Sequence, residues 1–523
     1  MTCAEGSRRA RLLPKLHLQA RHRPWLLAGV VGLVLFAVYL DTLAPTVLAL
    51  DSGRFQARAY VLGIGHPTGY PTYIMLGKLF TYLPVGDVAY RVNLSSAVYA
   101  AGAVMLLYLV AARLTESLPA VIAALAFGVS RSFWREAVIA EVYTLNALFL
   151  CAVLLTLLVW RDRRSDRYLL LAAFLAGLSL TNHLTSALLI PCGGLFVWLT
   201  DRRIVRDWRL LLKASALLVL GLTPYLYLPI RASMDPPLNT GDPSTLSNFL
   251  IHVTGRQFSD KMWAFGPGDI GARFMVYRTF LLEQYHPALM VLALVGAVAG
   301  WWRERAASAM LLLLFGFTLV YGLEYDVNDL FVYFIPTYLV VAVWIAFGLQ
   351  TLLEYARRLA RNELRRTTVA GITVVLLLAV GQTWAVHRPL VDASEMYAQR
   401  RLLDRVVQAP PNATIYDTEN TTPLQYMTYV ERRRRDLIIV QVRVTNVEQR
   451  LESDLPAGRQ VYFLHANYKK LLARSGRGLR KEGTLWRVVA CEQAGNTSPV
   501  STPTILAGCD PPLPASVPRV DDR

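Results

Sequence analysis

Charge is sparse in this chain. Asp, Glu, Lys and Arg make up 17% of its 523 residues, against 54% hydrophobic ones. Cysteine is also scarce: Cys3, Cys151, Cys192, Cys491 and Cys509 form no C-x-x-C pair, which weighs against structural zinc and dithiol redox chemistry. Cys151 and Cys192 lie in apolar stretches and read as packing residues. Cys491 and Cys509 can pair only if the C-terminal part faces an oxidising compartment. No Walker loop, no glycine fingerprint after a strand and no H-E-x-x-H motif is present, so no nucleotide-driven engine is visible. Any reaction must draw on an activated substrate or a membrane potential.

What is there is apolar sequence in blocks of about 17 to 22 residues, the length that crosses a bilayer core. The expected fold class is a mainly α polytopic membrane protein with about eleven transmembrane helices, plus a small C-terminal α/β domain. The spans are read at 25–43, 93–112, 118–131, 142–160, 168–182, 183–199, 210–228, 286–302, 307–323, 330–350 and 368–386. The first is too long for a signal peptide and lacks a small-residue cleavage site, so it reads as an uncleaved anchor. The formal net charge is +17, but its arginines cluster in short loops, which argues for orientation rather than nucleic acid. With eleven spans, the basic segment 1–24 and the clusters beginning at Arg161, Arg202, Arg303 and Arg357 fall on one side. The positive-inside rule makes that side cytoplasmic.

The opposite face then receives loops 44–92 and 229–285, the turns near 131–141 and 181–183, YDVND at 325–329, and everything after residue 387. Segment 387–494 has soluble composition and reads as strand, helix, strand, then further strands at 461–468 and 484–490. Residues 495–523 read as a disordered tail. The run Arg432–Arg435 reads as a solvated basic face, with lipid headgroup contact as the alternative.

The unusual chemistry sits on the outer loops. LDSGRFQARAYVLGIGHPTGYPTY, residues 50–73, places Asp51 just past the first span, then a short amphipathic stretch, then a turn fixed by Pro and Gly. The YIMLGKLFTYL that follows is too short to span and suits an interfacial or re-entrant helix. Asp51 is either a functional carboxylate or a cap; His66 is balanced between function and structure. Asp41 is a weaker rival. Glu141 is favoured by a helix dipole whatever its role, with Arg131 and Arg135 nearby. Asn182 and His183 mark a sharp turn. Glu324, Asp326 and Asp329 form an acidic group that suits a cation, sugar hydroxyls or plain solvent. Arg231, at the outer end of a span, suits a lipid phosphate or simple snorkelling.

The stretch from LDSGRF to RVNLSSAVYA closely resembles the N-terminal signature of a widespread membrane family long known only as a domain of unknown function. That family includes a vertebrate transmembrane O-mannosyltransferase. The resemblance continues through SRSFWREAVIAEVYTLNALFL and GLSLTNHLT and fades after about residue 200, although LEYDVNDLFVYFIPTYLVVAVW still looks similar. The family is similar to the C-type fold glycosyltransferases, which move a sugar from a polyprenyl-phosphate carrier to an acceptor outside the cytoplasm. By this resemblance the loop carboxylate is Asp51. The HPPGYP turn is His66, Pro67, Gly69, Tyr70 and Pro71. AEVYTLN gives Glu141, Tyr143 and Asn146, and TNH gives Asn182 and His183. Two positions depart from the pattern: Arg54 stands where relatives carry an acid, and Thr68 replaces the second proline.

The resemblance implies an inverting, lipid-phosphate-sugar-dependent glycosyltransferase with Asp51 as general base. His66, Tyr70, Arg58, Arg91, Glu141, Tyr143, Asn182, His183 and Arg231 are the candidate substrate-binding residues, and Arg54 a further cation for the leaving phosphate. No cofactor is expected, and Arg54 weakens the case for a metal, which normally wants more than one carboxylate. The implied partners are a polyprenyl-phosphate-linked sugar, a protein, lipid or glycan acceptor, and membrane lipid, but no nucleic acid. The implied location is a plasma (inner) membrane, N-terminus cytoplasmic and C-terminal domain outside. A transporter or flippase is the main alternative, and an inactive scaffold a third. A transporter predicts mid-span charges or broken helices in repeated halves, and the spans are nearly free of charge with no internal repeat.

Overall fold

The computed structural model describes residues 23–359, 363–417, 421–442, 445–468, 472, 475–490 and 506–507. Cys3, Cys491, Cys509 and most of the basic N-terminal segment lie outside the described residues. Each of the eleven expected spans is occupied by helix. Among the described residues, seven helical segments are long and apolar enough to cross a membrane, or nine if each of two bent pairs counts as one span. Ser117–Gly128 with Arg131–Ala137 bends by 67°, and Ile270–Leu282 with Pro287–Arg303 by 114°. Asp166–Leu180, at 15 residues, and the apolar Leu184–Thr200 are shorter. Length and composition therefore establish a multi-pass membrane protein without fixing the count at eleven.

Small residues let these helices touch backbone to backbone. A Cβ on Gly296 would lie 1.7 Å from the Trp344 carbonyl oxygen, and one on Gly348 would lie 1.9 Å from that of Leu292. Pro287–Arg303 and Ile335–Leu359 are thereby held at contact distance, as small residues allow between helices in lipid. At the end carrying the arginine clusters, part of the charge is neutralised by pairing. Arg357 forms a bidentate pair with Glu116 at 2.6 and 2.7 Å, Arg303 contacts Glu354 at 2.9 and 2.5 Å, and Arg161 reaches Glu304 at 2.7 Å.

The segment after the last long helix, Glu363–Val391, forms a six-stranded sheet with strands β1 Thr414–Asp417, β2 Ile438–Gln441, β3 Val461–Phe463, β4 Arg477–Glu482, β5 Leu485–Ala490 and β6 Leu506–Ala507. Their order is β2-β1-β3-β5-β4-β6, parallel among the first three and antiparallel from β3 onward. The strand–helix–strand reading corresponds to β1, the helix Thr421–Tyr429 and β2. Strand β4 was not foreseen. Leu506 and Ala507 pair with it from within the segment read as a tail, whose other residues lie outside the described ones.

This domain is fastened to the first outer loop. The Arg400 guanidinium donates to Asp87 at 2.9 Å and to Thr46 at 3.0 Å, and pairs with Glu431. The Ala89 amide donates to the Tyr426 hydroxyl at 3.0 Å. Around these bonds Val47, Ala57 and Ala89 of the loop share a core with Leu402, Leu424 and Met427 of the domain, so the apolar effect adds to the polar clamp.

Candidate active site

The first outer loop folds as two short helices joined by a tight turn. Helix Leu50–Val61 carries Asp51 in its first turn, where the helix dipole favours a carboxylate. It ends at Leu62 in a left-handed conformation. The chain then turns through HPTGYP to the ten-residue helix Pro71–Phe80, which has Pro at its first position. Gly69, at φ +89°, presses on Leu228; a Cβ there would lie 2.8 Å from its Cδ2. Glycine is needed for both the conformation and the approach.

Asp51, Arg54, Arg58, His66, Tyr70, Tyr143 and His183 line one cavity of about 1010 Å³. Asp51 Oδ1 accepts from Arg54 Nη1 at 2.8 Å, and its Oδ2 lies 3.9 Å from His66 Nε2. Burial pushes His66 down to about 4 against the pull of Asp51, with Arg54 and Arg58 adding to the depression. At neutral pH His66 is therefore an uncharged imidazole, and its Nδ1 is buried without a hydrogen-bond partner.

Arg58 donates through Nε to the Ile64 carbonyl at 2.8 Å and through Nη2 to Thr240 at 3.0 Å. Its Nη1 is buried and takes no partner. Burial, then Arg54, lowers its pKa to about 10 while Asp51 opposes them, so it stays charged at neutral pH. A buried donor on a cation is costly to leave unmet, and this one belongs to a residue of the cavity wall.

The other candidates separate into two groups. Tyr143 and His183 reach the cavity and stand 5.4 Å apart, ring centre to ring centre, with Tyr333 at 5.9 and 5.8 Å from them. Glu141 accepts from the Ser52 hydroxyl at 3.0 Å. Burial lifts its carboxyl well above the usual range, and Glu136 and Asp51 add to that. Asn182 donates to the Val142 carbonyl at 3.2 Å and supports the turn behind His183. Arg91 and Arg231 lie apart from the cavity. Arg91 holds the carbonyls of Val85, Thr81 and Gly86 at 2.7, 2.8 and 3.0 Å. Arg231 holds those of Leu62 and Val61 at 2.9 and 3.3 Å, at the C-terminus of the Asp51 helix. Asp41 pairs with Arg388 at 2.8 Å instead.

Sequence reasoning did not single out Lys261, Thr240, Tyr321, Tyr325 and Tyr333, which complete the cavity wall together with Asp329. Burial, with Asp51 adding a smaller push, raises the Asp329 carboxyl above its usual range. Gln441 and Asn446 of the C-terminal domain also line it. The available signals were the i, i+4 spacing of Tyr321 and Tyr325 and the similarity to the same family over residues 323–344, which hold Tyr325, Asp329 and Tyr333. Among the described residues, no three His, Cys, Asp or Glu side chains gather as a metal-binding group. The arrangement offers an accessible carboxylate, nearby fixed cations and aromatic walls in one cavity that is built by both parts of the chain.

Residues 51–205 match the family model described as the Protein O-mannosyl-transferase TMEM260 N-terminal domain. The chain is 28% identical over 455 residues to Protein O-mannosyl-transferase TMEM260 of Mus musculus, covering 80% of this chain and 63% of that one. It is 23% identical over 478 residues to its namesake from Dictyostelium discoideum, covering 82% and 58%. The chain thus spans about three-fifths of the length of these relatives. Its fold is similar to that of ArnT from Cupriavidus metallidurans, solved with undecaprenyl phosphate, at a TM-score of 0.55 and 14% identity over 90% of this chain and 98% of that one. The archaeal oligosaccharyltransferase AglB from Archaeoglobus fulgidus, solved with an inhibitory peptide and a dolichol-phosphate, gives 0.55 and 12% over 92% and 75%. The resemblance read from the sequence is borne out by these relatives, and the fold is similar to those of ArnT and AglB.

Proposed function

We propose that this protein is a membrane glycosyltransferase that moves a sugar from a polyprenyl-phosphate carrier to an acceptor hydroxyl, with inversion at the anomeric carbon. The observation that carries the proposal is the placing of the Asp51 carboxylate with the cations Arg54, Arg58 and Lys261 in the lining of one cavity. The names of the relatives, and the lipid phosphates bound to proteins of the same fold, support the substrate class.

In the proposed step Asp51 takes the proton of the acceptor hydroxyl as its oxygen attacks the anomeric carbon. The bond from that carbon to the phosphate oxygen breaks through an oxocarbenium-like state, and its electron pair stays on the phosphate. Arg58 holds that developing charge, with Arg54 and Lys261 as further cations in the same cavity. The products are a glycosylated acceptor and free polyprenyl phosphate. Tyr143, Tyr325 and Tyr333 offer ring faces to the sugar. His66, neutral and beside Asp51, positions the loop or bonds the substrate without competing as a cation.

By the arginine distribution the N-terminus is cytoplasmic, and the cavity and C-terminal domain face outward. The Arg54–Asp51 pair favours one other reading, in which the carboxylate stays neutralised and the protein is a scaffold. Incubating the purified protein with polyprenyl-phosphate mannose and hydroxyl acceptors separates the two. Release of polyprenyl phosphate with an inverted glycoside upholds the transferase, and no turnover with any lipid-phosphate sugar upholds the scaffold.

A further inference from the structure

The cavity is not closed by the membrane part alone. Gln441, the last residue of β2, contributes to its wall, and β2 is the edge strand of the C-terminal sheet. The Ile438 amide donates to the Ala413 carbonyl at 3.0 Å, and the Val442 amide to that of Asp417 at 3.1 Å. In a parallel pair the bonding residues alternate, so Ile439 turns its amide and carbonyl the other way. Among the described residues no strand lies on that side. The edge is short, but its sequence is Ile-Ile-Val-Gln, without proline or charge, and Ile438 is 40% exposed.

The approach to this edge is basic in a specific way. Arg433 reaches Glu431 and Arg434 pairs with Asp436. Arg432 and Arg435 are exposed and take no ion-pair partner among the described residues. The domain is also fixed to the loop that bears Asp51 by the Arg400 clamp and the Tyr426–Ala89 bond, so a ligand's register on β2 is carried to the cavity.

We infer that the acceptor is an extended polypeptide that adds as a strand to the open edge of β2. Its hydroxyl residue enters the cavity beside Gln441, and acidic side chains meet Arg432 and Arg435. Backbone bonds along the edge supply affinity, and the charges supply selectivity. At about 3.3 Å per residue the four-residue strand covers about 13 Å, which places the acids about four to six residues from the hydroxyl. This rests on the transferase reading for what happens in the cavity, but binding to the edge does not require turnover.

The test uses the full chain in lipid nanodiscs and two fluorescent peptides with a single serine, one with a Glu-Glu pair five residues away and one with Lys-Lys. Fluorescence anisotropy gives their affinities for wild type, for Ile439→Pro, and for Arg432→Glu with Arg435→Glu. Proline at 439 removes an outward amide without breaking the bonds to β1, and unchanged donor affinity reports that the fold is kept. The expected result is about tenfold tighter binding of the acidic peptide by wild type, loss of that binding in the proline variant, and a reversed preference in the charge variant. Equal affinities for both peptides in all three proteins would overturn the inference. The expected binding pattern in a chain that transfers no sugar would uphold the edge site and overturn only the transferase reading.

Discussion

Asp51 and Arg54 lie one helical turn apart and form an ion pair of 2.8 Å on the wall of the cavity. The pair gives the two functional readings opposite predictions. If Arg54 orients the base and shares the leaving phosphate, Arg54→Gln lowers kcat by about tenfold or more, and Arg54→Lys restores part of it. If the pair silences Asp51, the same change raises turnover from a blank background. Single-turnover transfer from polyprenyl-phosphate mannose distinguishes the two.

Arg58 is expected to act through the donor. Its charge is buried, two of its nitrogens are fixed by Ile64 and Thr240, and the third has no partner in the protein. Arg58→Gln should raise the KM for the lipid-phosphate sugar by about tenfold or more, since a charge-assisted bond to phosphate is lost. The KM for the acceptor should change little. An unaltered donor KM would move the phosphate elsewhere.

His66 and His252, with His183, contribute a pH dependence of stability. Burial holds each at about 4 in the folded protein, against an ordinary value of 6.5. Between these values the unfolded chain binds protons that the folded one refuses, so stability falls as the pH drops from about 6.5 toward 4 and levels off below. Each histidine contributes on the order of 2 to 3 kcal/mol over that window. Thermal unfolding in detergent should show this slope in wild type and a shallower one in His66→Gln with His252→Gln.

Gly69 tests the turn itself. Alanine there must hold φ +89° and displace Leu228, at a cost of about 1–3 kcal/mol. Gly69→Ala should lower the unfolding temperature and weaken donor binding together, because the turn carries His66 and Tyr70 into the cavity. A stable variant with wild-type donor affinity would show that the turn does not position them.

The sequence made the membrane helices and the first loop legible because both rest on local chemistry. Apolar length, prolines and glycines act where they stand, and the HPTGYP turn and short Pro71–Phe80 helix follow from them. The roles of Arg91 and Arg231 were not legible, since each bonds backbone carbonyls and Arg231 finds its partners about 170 residues earlier in the chain. Lys261, Tyr333 and Gln441 come from separate segments that only folding brings to one cavity. Their residue types are ordinary, and no spacing marks them. Arg54 was legible as a departure from the family pattern, but its 2.8 Å contact with Asp51 needed coordinates.

The most direct measurement is transfer by Asp51→Asn with the donor-binding step followed separately. Asparagine keeps the size of the side chain and removes its capacity to take a proton. The account predicts donor affinity within a few fold of wild type and a kcat lower by about 10²- to 10⁴-fold, the usual share of a general base. Turnover at the wild-type rate by the asparagine variant would contradict it.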